Sequence, residues 1–227
     1  MKKVLLISNR FPPHLDVGGL RAYGLFKHLS NFGWEPIVLT TTFPENAGNN
    51  SKIYECEEKD LKFFLKKKLG FNLNESVKEQ LNENNNEINN NFWIDYLLKF
   101  YSEVIEYPDG QKGWYKPAIK KAEKIISEEK IDLLFSTFPP ATSHLIAKKL
   151  KIKYNIPWIA DMRDLWTQYS YYEHTNIRKF FEQKLEHKTL SCADVLTTVS
   201  KPFAKKLKTL HKNDIFVKCF QLFSKWF

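Results

Sequence analysis

Two adjacent glycines, Gly18 and Gly19, stand between an apolar run, Val4 to Ile7, and a segment with helical spacing. A glycine pair at such a junction lets the backbone approach a ligand closely, and free N–H groups at a helix start favour an anion. The spacing is neither G-x-G-x-x-G nor a P-loop, and a turn needing positive φ is the alternative. In "IADMRDLWTQ" (159–168), Asp161, Arg163 and Asp164 follow a strand-like run. Arg163 can hold a phosphate or carboxylate through a bidentate fork, and Asp164 can orient a hydroxyl or cap a helix. The alternative is an internal arginine–aspartate pair fixing the loop. In "STFPPATSH" (136–144), Ser136 and Thr137 offer hydroxyls to a ligand, or cap the helix opened by Pro139 and Pro140. In "YPDGQKGWYKPA" (107–118), Trp114 and Tyr115 can form a platform for a sugar or a lipid-linked acceptor, or pack against a sheet. Lys66, Lys67 and Lys68 beside Phe63, Phe64 and Leu65 can touch an anionic membrane, or form a solvated helix face.

Other chemistries find no pattern. The six histidines have no metal-ligand spacing, and no metal or cofactor is expected. Cys56, Cys192 and Cys219 are an odd set at unrelated spacings, which suits thiols in a reducing compartment. The G-x-S-x-G elbow of hydrolases is absent. The net charge of +9 suits an anionic partner, although lysine and asparagine are abundant throughout, and nucleic acid is not an expected partner. Val4 to Ile7 is too short for a secretory signal, no run approaches a membrane span, and the expected location is cytoplasmic, with peripheral contact at the inner membrane face.

The elements that must position these residues alternate. "KVLLIS" (3–8) and "EPIVLTT" (35–41) read as strands buried on both faces, with a helix between them from Arg21, where Ala22, Leu25, Phe26 and Leu29 share a face until Gly33. "IDLLFST" (131–137), "PWIAD" (157–161), "ADVLTTVS" (193–200) and "DIFV" (214–217) read as further strands. Between them lie helices marked by Ala118, Ala122, Ile125 and Ile126, by "PPATSHLIAKKL" (139–150), by Ile177, Phe180, Phe181 and Leu185, and by Phe203, Leu207 and Leu210 after a Ser200 cap. This grammar predicts an α/β fold with a doubly wound parallel sheet. Residues 44–106 break the rhythm. Two amphipathic helices flank the low-complexity "NENNNEINNN" (82–91), and the whole reads as a helical insertion after the second strand.

Five phrases in order carry a resemblance: "FPPHLDVGGLRAYGLFKHLSNFGWEPIVLTT", "YPDGQKGWYKPAI", "STFPPATSHLIA", "PWIADMRDLWTQ" and "ADVLTTVSKPF". Together they resemble the amino-terminal domain of glycosyltransferase family 4 enzymes, over about residues 1–217. The resemblance implies a Rossmann-like half of a GT-B fold, whose amino-terminal domain binds the acceptor and whose carboxyl-terminal domain binds a nucleotide-sugar donor. It implies transfer of a sugar to a glycan or lipid-linked acceptor, with retained configuration and no metal, of the kind used in cell-envelope polysaccharide assembly. Gly18 and Gly19 inherit a place beside the donor diphosphate. Many members carry a histidine after the strand matching "PWIAD"; here Met162, Arg163 and Asp164 stand there, so Arg163 and Asp164 are the catalytic candidates, with Ser136, Thr137 and Trp114 as substrate-binding candidates.

After "DIFV" the family pattern runs to an Asn-Gly turn and a second domain. This chain reads "KCFQLFSKWF", an apolar tail over 218–227, as a frameshift or premature stop would leave it. The expectation is a chain lacking the donor-binding domain and inactive alone. The alternative is a non-catalytic binding module, pairing with a separate donor-binding chain or a membrane.

Overall fold

The computed structural model describes residues 1–12, 17–42, 51–59, 103–104, 106–169, 172, 174–211 and 216–219. Seven parallel strands form one sheet: β1 (Lys2–Ile7), β2 (Trp34–Thr41), β3 (Ile53–Cys56), β4 (Leu133–Phe138), β5 (Trp158–Met162), β6 (Val195–Thr198) and β7 (Phe216–Cys219), ordered β3-β2-β1-β4-β5-β6-β7. The direction of winding reverses between β1 and β4, and such a reversal opens a crevice beyond the carboxyl ends of the strands.

Burial on both faces explains the uninterrupted apolar runs. Val4 and Leu6 of β1 pack with Val38, Ala22 and Phe11 on one side; Leu5 and Ile7 pack with Ile37, Leu39 and Trp114 on the other. Each such buried aliphatic side chain contributes about 1.5–3 kcal/mol. Helix α1 (Val17–His28) covers the first side and passes through a 3-10 turn (Leu29–Phe32) to Gly33, whose φ of 79° closes the helix in the left-handed region. Helices α2 (Tyr115–Glu128) and α3 (Ala141–Tyr154) lie on the other side. The chain continues through α4 (Asn176–Leu190) and α5 (Lys201–Leu210). Ser200 caps α5, its side chain accepting from the Phe203 N–H at 3.3 Å.

Four expectations are corrected. Helix α1 begins at Val17, not Arg21, so Gly18 and Gly19 lie in its first turn rather than ahead of it. Strand β3 lies inside 44–106 and pairs with β2, Val38 opposite Ile53; four residues are too few for periodicity to reveal, so the supposed helical insertion begins with part of the sheet. Lys218 and Cys219 belong to β7, opposite Thr197 and Thr198, not to a patternless tail. The fourth concerns α4. Its predicted stripe points outward: Ile177, Phe180 and Phe181 are exposed, while Arg178, Glu182, Glu186, Thr189 and Leu190 are buried. Apart from residues 57–59 and 103–104, the two amphipathic helices, with Lys66 to Lys68, lie outside the described residues, as do 82–91 and 220–227.

Candidate functional site

The carboxyl edge of the sheet is built around one buried charge. Register sets Thr137 of β4, Asp161 of β5 and Thr197 of β6 side by side. Asp161 is fully buried, yet each carboxylate oxygen is engaged. Arg21 donates from Nε to Oδ2 at 2.7 Å and from Nη2 to Oδ1 at 2.8 Å. Thr197 donates to Oδ1 at 2.6 Å, with Thr137 more distant from Oδ2 at 3.4 Å. A buried carboxylate persists only with such a bidentate partner and hydroxyl support. Arg21 therefore ties α1, two residues beyond the glycine pair, to β5. Arg21 Nη1, Asn9 Nδ2 and Thr198 Oγ1 are buried without a hydrogen-bond partner among the described residues. Unpaired polar atoms cost free energy, and these three belong to residues at or beside the edge where open α/β sheets take ligands.

Behind this row sits a neutral relay. Trp158 Nε1 donates to Ser136 Oγ at 2.8 Å, and Ser136 Oγ lies 2.7 Å from His144 Nδ1. With its oxygen accepting from tryptophan, the hydroxyl donates to Nδ1, which leaves the Nε2 proton facing Met162 Sδ at 3.3 Å. Complete burial pushes the His144 pKa down to about 3, so this ring is uncharged at neutral pH.

The loop after β5 carries Arg163 and Asp164, whose Nε and Oδ2 lie 3.6 Å apart; Arg163 is mostly covered and Asp164 about half exposed. Helix α4 anchors the residues that follow. Trp166 Nε1 donates to Glu182 Oε2 at 3.3 Å, and Thr167 donates to Glu186 Oε2 through its hydroxyl at 2.5 Å and its N–H at 3.2 Å. Arg178 Nε donates to Glu182 Oε1 at 2.7 Å. Burial pushes the Glu186 pKa up to about 7 despite these donors. This network is why α4 turns Arg178, Glu182 and Glu186 inward. From another loop, the Asp109 carboxylate accepts from the Thr142 N–H and hydroxyl, both at 2.7 Å, closing the start of α3. Burial raises the Asp109 pKa.

Gly18 is half-buried and Gly19 buried in the first turn of α1, on the element that sends Arg21 to the edge. Arg163 and Asp164 stand at the same edge. Ser136 and Thr137 are also there, but buried and bound to protein partners rather than open to a ligand, and α3 is capped from Asp109 instead. Trp114 is no surface platform: it is fully buried in the core, with Nε1 3.1 Å from Cys56 Sγ. Arg21, Asn9, Thr197 and the α4 glutamates were not anticipated. Arg21 lies three residues after Gly18, and a lone arginine on an otherwise apolar helix face was the available signal; nothing in the sequence pairs it with Asp161. Among the described residues, no group of three histidine, cysteine, aspartate or glutamate side chains is placed to hold a metal.

A reversed-order parallel sheet with helices on both faces defines a Rossmann-like α/β domain. The model of glycosyltransferase family 4 matches residues 95–217, more than half of the chain, and the protein belongs to that family. None of the curated proteins matches in sequence. Among solved structures, a sucrose-phosphate synthase from Thermosynechococcus elongatus is similar over 96% of this chain and 47% of its own, at 15% identity and a TM-score of 0.56. A second, twinned structure of that enzyme is similar over 99% and 91%, at 12% identity and a TM-score of 0.56. A Streptomyces glycosyltransferase complexed with thymidine diphosphate matches over 90% and 51%, at 16% identity and a TM-score of 0.44. The chain thus spans about half the length of the synthase it first matches.

Proposed function

We propose that this chain is the amino-terminal, acceptor-side half of a retaining transferase that moves a sugar from a nucleotide-sugar donor to a hydroxyl of a glycan or lipid-linked acceptor. One observation carries the reading: the segment matched by the family, 95–217, contains β4, β5 and β6, whose carboxyl ends build the Asp161 centre. The first turn of α1 faces the donor diphosphate, and backbone N–H groups around Gly18 and Gly19 stabilise the charge that develops as the diphosphate departs. Arg163 binds an anionic group of the acceptor and Asp164 orients its hydroxyl. Arg21, Asp161 and Thr197 act as positioning residues by fixing α1 against β5. The buried Ser136 and Thr137 shape the floor of the site rather than touch substrate.

The test is calorimetric titration of the 227-residue protein with uridine and thymidine diphosphates, alongside a transfer assay with nucleotide sugars and membrane-extracted lipid acceptors. Weak binding, with Kd on the order of 1 mM, is expected for half of a cleft, with no turnover. Introducing side chains by Gly18→Val or Gly19→Val is expected to abolish the binding without unfolding the sheet. Sugar transfer by this chain alone would overturn the assignment as a donor-incomplete half. Absence of any nucleotide or glycan binding would overturn the transferase reading.

A further inference from the structure

The exposed face of α4 has the composition of a membrane-contact surface. Ile177, Phe180 and Phe181 are 73%, 52% and 55% exposed at i, i+3 and i+4, and half-buried Leu185 extends the row by another turn. The two phenyl rings meet edge to face, with centroids 5.7 Å apart. Both acids of the helix, Glu182 and Glu186, are turned into the protein and occupied by Arg178, Trp166, Thr167 and Gln168. Two of its lysines, Lys184 and Lys188, stay exposed, while half-buried Lys179 turns its cation over the Tyr172 ring at 5.4 Å. Lys184 Nζ sits 4.2 Å above the Phe180 ring, so cation and aromatic share one patch. The face thus offers aromatic and aliphatic groups framed by positive charge, with no negative charge from its own helix. Contiguous apolar exposure of this kind marks an interaction surface. A protein partner of ordinary composition has no need of this one-signed frame. An anionic bilayer satisfies both halves, taking phenyl and isoleucyl groups below the headgroups while lysines reach the phosphates.

We propose that α4 lies on an anionic lipid surface through Ile177, Phe180 and Phe181, with Lys184 and Lys188 against the headgroups. The consequence reaches the candidate site. The helix that faces lipid also holds, through Glu182 and Glu186, the loop carrying Arg163 and Asp164. Membrane contact would present Arg163 to an acceptor whose phosphate sits at the bilayer surface, which selects the lipid-linked acceptor over a free glycan. This step deepens the function proposed above and rests on it for the purpose of the contact; the contact itself does not depend on transfer.

The experiment is co-sedimentation of the full 227-residue protein with vesicles of phosphatidylcholine alone and of phosphatidylcholine mixed with phosphatidylglycerol. Binding to the anionic vesicles, weakening with salt, is expected. Phe180→Ser with Phe181→Ser, and separately Lys184→Glu with Lys188→Glu, should each weaken binding by about tenfold or more. These side chains point outward, so unchanged circular dichroism and melting should accompany the loss. The proposal is overturned if the protein stays in the supernatant. It is also overturned if both variants bind as wild type, which would move the contact to another segment such as 60–102. Self-association of the wild type that is lost in the phenylalanine variant, with vesicle binding unchanged, would assign the face to a second copy and overturn the proposal. Vesicle binding with no nucleotide binding would keep the surface and discard the transferase reading.

Discussion

At the level of single residues, the Asp161 centre is the part of the molecule least tolerant of change. Its carboxylate has no solvent, and Arg21 has one partner of opposite charge for two of its nitrogens. Asp161→Asn would leave the guanidinium buried against a neutral amide, and removal of one partner of a buried pair costs about 3–5 kcal/mol. Replacing both members, as Arg21→Met with Asp161→Leu, is expected to cost clearly less than either single change, because no charge is stranded. Urea unfolding of the three variants measures the coupling; additive losses would show that the two residues do not act as a pair. Thiol chemistry gives a second residue-level expectation. Burial pushes the Cys56 pKa up to about 11, and its sulfur is covered by Trp114, whereas Cys219 is exposed on β7. Iodoacetamide at pH 8 should label Cys219 well before Cys56, as read by peptide mass spectrometry.

Elements were legible wherever a local pattern and the tertiary demand agreed. The uninterrupted apolar runs of β1, β2 and β4 announced burial on both faces, and Ser200 and Gly33 marked the ends of their helices by side-chain and backbone chemistry alone. Helix α4 was legible as a helix and illegible in orientation. Periodicity tells which residues share a face, and hydrophobicity is then used to choose the inner one; here that choice fails because Glu182 and Glu186 are recruited by Trp166 and Thr167, residues 16 and 19 positions away. The same limit hid the Asp161 centre, since Arg21 and Asp161 are 140 residues apart and only the sheet order brings them together. Gly113 shows how a close approach can be tested at this scale. A Cβ there would stand 1.9 Å from the Lys59 carbonyl oxygen, where the segment after β3 crosses the start of α2. Gly113→Ala must displace backbone, so a loss on the order of 1–3 kcal/mol is expected, comparable to overpacking a core. By contrast, Ser200→Ala should cost about 1 kcal/mol through its lost cap. Thermal melts of the two variants rank these effects, and an unchanged Gly113→Ala melt would show that the crossing segment yields freely.

Across the whole molecule, two buried titrating groups pull stability in opposite directions with pH. Burial holds Glu186 at about 7 against an ordinary 4.5, so the folded state keeps a proton that the unfolded chain has lost. Its contribution is complete below pH 4.5 and disappears as pH rises through 7, a swing of roughly 3 kcal/mol at 1.4 kcal/mol per unit. Burial holds His144 at about 3 against an ordinary 6.5, so the unfolded chain takes the proton first. Its contribution is complete above pH 6.5 and is lost as pH falls towards 3, by up to about 5 kcal/mol. Asp109, raised by burial, adds to the first trend, and His211, lowered by burial and then by His187, adds to the second. Between pH 4.5 and 6.5 the slopes of Glu186 and His144 are equal in size and opposite in sign. The two therefore cancel there, and the wild-type profile follows the remaining groups, His211 and Asp109, concealing both Glu186 and His144. Single substitutions uncover them. Glu186→Gln keeps hydrogen bonding to Thr167 but removes the proton, and relative to wild type its unfolding free energy should fall by about 1.4 kcal/mol for each unit of acidification across that window. His144→Asn can still accept from Ser136, and relative to wild type its free energy should fall at the same rate in the other direction, as pH rises. The double variant should run parallel to wild type again. Urea titrations of wild type and variants at several pH values measure each difference in slope directly; single-variant profiles parallel to wild type would mean that neither group keeps its buried protonation state, and a difference of inverted sign would mean that the assignment of charge to the two residues is reversed.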